Sequence, residues 1–110
     1  MKLRMPEFEE LNPADMFDEE GFPYGLHISH PHFYGEIVCD GPSNNGNYFM
    51  YGFISDSCYY NDAIAKSDDI DLEETKDGTI KKSSVRKAYK IIVKQLKERY
   101  RQWALENIVM

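Results

Sequence analysis

Residues 33–55, FYGEIVCDGPSNNGNYFMYGFIS, decide the fold of this chain. Two runs rich in aromatic and β-branched residues, 33–40 and 47–55, flank GPSNNG, and such runs favour pleated, half-buried strands. Asn45-Gly46 between apolar runs is a strong hairpin signal, because both central positions of a type I′ turn take positive φ. With that pair at the turn, Asn44 faces Asn47, Ile37 falls opposite Ile54, and Val38 falls opposite Phe53. Strand alternation then puts Phe33, Ile37, Cys39, Tyr48, Met50 and Ile54 on one face. Tyr34, Glu36, Val38, Asp40, Phe49, Tyr51 and Phe53 occupy the other, so neither face is plainly polar. The alternating stretch 24–30, YGLHISH, supplies a third strand.

A sheet with two apolar faces needs two covers. The first is legible at the C-terminus, where Val85, Ala88, Tyr89, Ile92, Leu96, Tyr100, Trp103 and Ala104 recur at spacings of three and four with no Gly or Pro between them. Ser83 or Ser84 is the expected N-cap of an amphipathic helix of about six turns, with Lys87, Lys90, Lys94, Lys97 and Arg101 facing outward. The expected fold is α+β, an antiparallel sheet of three or more strands packed on a long C-terminal helix. At 110 residues the chain suits one core, so 1–110 reads as a single domain.

The second cover is expected from an acidic N-terminal arm, residues 1–22, whose Phe8, Leu11, Met16, Phe17 and Phe22 serve as apolar hooks. The alternative is an exposed aromatic platform that stacks bases or grips a protein. Residues 56–80 read as an acidic loop region. Within it a helical turn through Ala63, Ile64 and Ala65, capped by Asn61 or Asp62, and a small hairpin turning at Asp77-Gly78 are expected.

Charge is divided by position. Residues 1–80 hold 4 Lys/Arg against 17 Asp/Glu, and residues 81–110 hold 9 against 2, so net charges of −13 and +7 combine to −6. Two electrically opposed surfaces are expected, and such fields steer partners. No run approaches the ~18 residues of a membrane span, and MKLRMPEFEE turns acidic where a signal peptide turns apolar. The expected compartment is the cytoplasm, with Cys39 and Cys58 as reduced thiols.

Sites of chemistry are faint. His27, His30 and His32, with Cys39 or Asp40 as a fourth ligand, have the number for a zinc site, but their spacing matches no standard module. They read as edge-strand or turn histidines. Pairing Cys39 or Cys58 with a histidine has no motif to fix its geometry, and neither GxGxxG nor GxxxxGK[ST] is present. The chain therefore reads as a non-enzyme, with no metal and no cofactor expected.

Binding is the remaining class. Asp68, Asp69, Asp71, Glu73 and Glu74 form the candidate surface for a basic protein partner, docking in a groove lined by Lys and Arg. Small acidic single domains of this size and charge resemble the nucleic-acid-mimic inhibitors of bacteriophages, including anti-restriction and anti-CRISPR proteins, and the likeness implies an inhibitor of a nucleic-acid-binding protein. A second reading starts from the helix opening KKSSVRK after three strands. This resembles the β-β-β-α core of double-stranded-RNA-binding-type folds over about 75 residues, and implies that Lys81, Lys82, Arg86 and Lys90 meet phosphates. The acidic arm in place of that family's first helix, and the carboxylates before the last one, depart from the pattern. A third reading is self-assembly, the basic helix of one protomer meeting the acidic zone of another.

Overall fold

A computed structural model describes residues 4–17, 25–42, 44, 46–56 and 63–107. Its elements are β1 (Glu7–Phe8), a 3-10 turn (Pro13–Met16), β2 (Leu26–Ser29), β3 (Tyr34–Asp40), β4 (Phe49–Ser55), β5 (Ala63–Lys66), β6 (Ile70–Asp71) and α1 (Lys82–Asn107). The sheet is antiparallel throughout in the order β1-β2-β3-β4-β5, and β6 also pairs with β4. Helix α1 covers one face, so the α+β architecture expected from the sequence is the one observed.

The central hairpin pairs β3 with β4, in a register two residues away from the expected one. Ile37 faces Gly52 rather than Ile54, and Val38 faces Tyr51 rather than Phe53. The ladder ends at Asp40↔Phe49; beyond it Gly41 takes φ 128° and Pro42 has no N–H to donate. Asn45, the first residue of the expected Asn-Gly turn, lies outside the described residues. Because the side-chain period is two, a two-residue shift exchanges partners and preserves faces. The large Ile37 and Ile54 now each oppose a glycine, Gly52 and Gly35. This alternation of large and absent side chains lets the helix settle close to the sheet.

Helix α1 buries Val85, Ala88, Ile92, Leu96, Tyr100 and Ala104, with Tyr89, Val93 and Trp103 half-buried beside them. It begins at Lys82, and neither Ser83 nor Ser84 caps it. The Lys81 carbonyl accepts from the backbone N–H groups of Ser84 and Val85. Ser84 is buried instead; its hydroxyl donates to Lys81 O at 2.7 Å and accepts from Glu73 N–H at 3.1 Å, joining the helix start to the segment before it.

Two expectations about the flanking regions are corrected. Ala63–Ala65 is not a helical turn: β5 takes this segment onto the free edge of β4, where Ala65 faces Ile54 and Lys66 faces Phe53. The caps named for that turn, Asn61 and Asp62, and the second thiol, Cys58, lie outside the described residues. The described part of the arm does not cover the sheet's second face either. It extends the sheet as β1, and Met16, with no exposed surface, enters the core on the helix side. Tyr89 donates its hydroxyl to Glu9 O, and the Lys97 ammonium sits 5.6 Å from the Phe8 ring centre. The Asp77-Gly78 hairpin is present, with Gly78 at φ +84° and Thr75 N–H donating to Thr79 O at 2.7 Å.

Candidate functional site

The face of the sheet away from α1 presents an aromatic strip edged by carboxylates. Asp40 and Asp71 both pair with Phe49, from β3 and β6 respectively, so the three side chains form one row on this face. Neighbouring strands lie ≈4.8 Å apart, which separates the two carboxylates by roughly 10 Å with Phe49 between them. In the next row Val38 pairs with Tyr51, and Tyr51 stacks on Phe49 with ring centres 5.9 Å apart and planes at 26°. Val38, Phe49 and Tyr51 are half-buried; Asp40 and Asp71 are exposed. Farther along, His27, Glu36, Phe53 and Lys66 make a four-strand row, with His27 Nδ1 3.9 Å from Glu36 Oε1.

The five carboxylates singled out by sequence are all exposed, yet they divide into two groups. Asp68 is committed internally: Arg99 Nη2 lies 3.3 Å from its Oδ1, and Gln95 Nε2 donates to its Oδ2 at 3.2 Å. Arg99 also donates to Lys66 O at 2.6 Å, so it fastens the end of β5 to the helix. Glu73 pairs with Lys81 at 3.7 Å and shares with Asp71 and Lys87 a cleft of about 330 Å³ against the helix start. Asp69, Asp71 and Glu74 have no ion pair among the described residues. The acidic segment thus touches the basic helix along its flank, and the two signs of charge are not wholly held apart. Exposed pairs of this kind contribute about 0–1 kcal/mol each, so they set position more than stability.

The basic residues divide in the same way. Lys81 is drawn to Glu73, while Lys82, Arg86 and Lys90 run exposed along one side of the first turns. The rings of His30 and His32 lie 6.0 Å apart, but His27 is elsewhere, and no group of three metal-ligating side chains occurs among the described residues. His27 stands on the sheet's outer face against Tyr34. His30 lies on the helix side among Phe33 and Tyr100, with ring centres at 4.9 and 5.5 Å. Cys39 is a buried core thiol whose pKa is pushed up to about 12, by burial first and by the neighbouring Asp40 charge second. Its thiolate, the nucleophilic form, is therefore scarce at neutral pH.

His30 ties three elements together. Its Nδ1 accepts from His32 N–H at 3.1 Å, which leaves Nε2 to carry the proton of the neutral ring and donate to Arg4 O at 3.1 Å; Tyr100 Oη is 3.0 Å from the same nitrogen. Burial, the largest cause, lowers the His30 pKa, the Arg4 carbonyl opposes that, and the charges of His32 and Arg4 reinforce it. A depressed folded-state value means that the unfolded chain takes the proton first as pH falls. The resulting stability is complete above the ordinary value of 6.5 and is lost progressively below it. Urea midpoints of wild-type and His30→Gln protein at pH 7.5 and 5.5 check this: the wild type is expected to lose more stability on acidification. Equal losses would contradict it.

The row Asp40–Phe49–Asp71 escaped sequence reasoning because β6 is two residues long. Its one signal is the alternation Ile70-Asp71-Leu72, in which Leu72 is buried and Ile70 half-buried while Asp71 is exposed. Comparison with protein-family models, curated proteins and solved structures gives no match. No helix among the described residues is long and apolar enough to cross a membrane.

Proposed function

We propose that this chain is a non-enzymatic binding protein that docks the carboxylate-edged outer face of its sheet on a basic protein, of the arginine-rich kind that binds nucleic acid. The observation that carries this is the cross-strand row Asp40–Phe49–Asp71 with Tyr51 stacked beside it. An arginine can lay its planar guanidinium on an aromatic face while its N–H fork meets a carboxylate, and this row offers a ring between two carboxylates. Asp69 and Glu74 extend the negative field, whereas Asp68 and Glu73 are already engaged and contribute less than their sequence position suggests. Occupying such a partner's basic groove excludes its natural anion, and association driven by this charge weakens with salt. A reducing, cytoplasmic setting belongs to the same reading, supported by Cys39 as a free core thiol.

An NMR titration with a 12-residue alternating Arg-Gly peptide tests the surface. Shifts are expected at Val38, Asp40, Phe49, Tyr51 and Asp71, and the D40K/D71K variant is expected to bind about tenfold more weakly, a loss of about 1.4 kcal/mol. The E7K/E10K variant changes charge equally on the exposed arm and should lose much less. Equal losses in the two variants, or shifts concentrated on the arm, would discard the assignment.

A further inference from the structure

Helix α1 turns a ridge of five cations to solvent, with one exposed carboxylate, Glu98, set beside it between Lys94 and Arg101. Lys87, Lys90, Lys94, Lys97 and Arg101 are spaced three, four, three and four apart; at 3.6 residues per turn Lys87, Lys94 and Arg101 stand nearly opposite Val85, Ile92 and Leu96, which face the sheet, and Lys90 and Lys97 lie to one side of them. All five are exposed, and none has an ion pair among the described residues. Lys97 alone has a partner, the uncharged ring of Phe8. The ridge covers fourteen residue steps, about 21 Å of helix. Like charges at these spacings repel and disfavour the helix, so the fold itself has no use for them. Asp71 and Glu73 line the cleft at the helix start together with Lys87, the first cation of the ridge, whereas Glu36 and Asp40 belong to the far face of the sheet. With a screening length of ≈8 Å at physiological salt, those distant carboxylates weigh less at Lys90, Lys94, Lys97 and Arg101 than the neighbouring cations do.

We propose that this ridge docks on the phosphate backbone of a nucleic-acid duplex without reading its sequence. Four of the five cations are lysines, compact point charges on flexible stems rather than bidentate forks, and the ridge carries no Asn or Gln to address base edges. Such a surface suits an anion that is dense and uniform. A duplex presents one charge per ≈1.7 Å of axis with both strands counted, so a 21 Å length of it carries about twelve phosphate charges, enough for five cations to find partners in any register. A protein partner would have to match the spacing with discrete carboxylates. A membrane surface would want several apolar side chains beside the cations, and among the described residues only Leu105, one turn past Arg101, is a large exposed hydrophobic there. The ridge also relocates the candidate phosphate contacts from the helix start, where Lys81 is paired with Glu73, to the middle and far half of the helix.

Fluorescence anisotropy of a labelled 20-bp duplex between 25 and 200 mM salt tests this. Five phosphate contacts set a limiting slope of about −4.5 for log K against log salt, and a slope between about −3 and −4.5 is expected. K90E/K94E/K97E should weaken binding at least tenfold at 50 mM salt and flatten the slope. K76E/K81E/K82E, with the same change of net charge away from the ridge, should weaken it less than threefold. Thermal melts establish that both variants are folded. The proposal falls if the wild type does not bind at 25 mM salt, if the two triple variants lose equally, or if the protein binds phosphatidylserine vesicles and not the duplex.

Discussion

Met16→Ala is expected to cost about 2–5 kcal/mol, the range for truncating a fully buried methionine, and to lower the melting temperature by roughly 10–20 °C. Met16 has no exposed surface and belongs to the same cluster as Leu26, Ile28, Ile92 and Leu96. It is delivered there by the 3-10 turn Pro13–Met16, whose start is fixed by Asn12 Oδ1 accepting from Ala14 N–H at 3.2 Å and by Pro13 with its preset φ. The turn packs on α1, so removing the thioether opens a void between arm and helix rather than at the rim of the sheet. Glu10→Gln, on the exposed side of the same arm, should change stability by less than about 0.5 kcal/mol. Urea denaturation followed by both tyrosine fluorescence and far-ultraviolet dichroism distinguishes the outcomes. A Met16→Ala loss below 0.5 kcal/mol would mean that the arm is peripheral, and coincident transitions with a large loss mean that it is part of the cooperative unit.

That role for the arm shows where the sequence was legible and where it was not. The helix was easy, since its apolar residues repeat over about five turns, from Val85 to Ala104, and no tertiary contact is needed to see a stripe of that length. The strands 34–40 and 49–55 were visible from composition, and their faces from alternation, because face depends only on parity. The side taken by the arm was not visible: Phe8, Leu11 and Met16 are apolar hooks for either face, and only the vacant β2 edge and the open flank of α1 choose between them. The short strands were hidden for a related reason. Ala63–Lys66 and Ile70–Asp71 have too few residues for periodicity, and alanine favours helix in isolation. Pairing with the free edge of β4 overrides that preference, and the candidate surface shared by Asp40 and Asp71 exists only once that pairing is made. Likewise, Asp68 and Glu73 look like their neighbours in sequence, and only the positions of Arg99 and Lys81 reveal that they are engaged.

Gly52→Val is expected to destabilise the fold by about 1–3 kcal/mol, the usual cost of adding methyl groups to a packed core, and the reason is the register the turn signal failed to predict. A Cβ at position 52 would lie 2.7 Å from Leu96 Cδ1, 2.9 Å from Ile92 Cγ2 and 3.2 Å from Ile37 Cγ1. The Leu96 methyl is the end of a flexible side chain and can swing aside. Ile92 is branched at Cβ and held to one χ1 well in a helix, so it yields poorly. The strand cannot retreat easily, because Ser67 holds Gly52 from both sides of the peptide: Gly52 N–H donates to Ser67 Oγ at 2.8 Å and Ser67 N–H donates to Gly52 O at 2.9 Å. The clash therefore has to be relieved by the helix. Leu96→Ala on its own removes a fully buried side chain and should cost about 2–5 kcal/mol, yet in the Gly52→Val background it makes room for the new methyl groups. The double variant is expected to lose at least about 1 kcal/mol less than the two single losses combined, a coupling within reach of a double-mutant cycle in urea. Simple additivity would show that residue 52 and Leu96 do not meet.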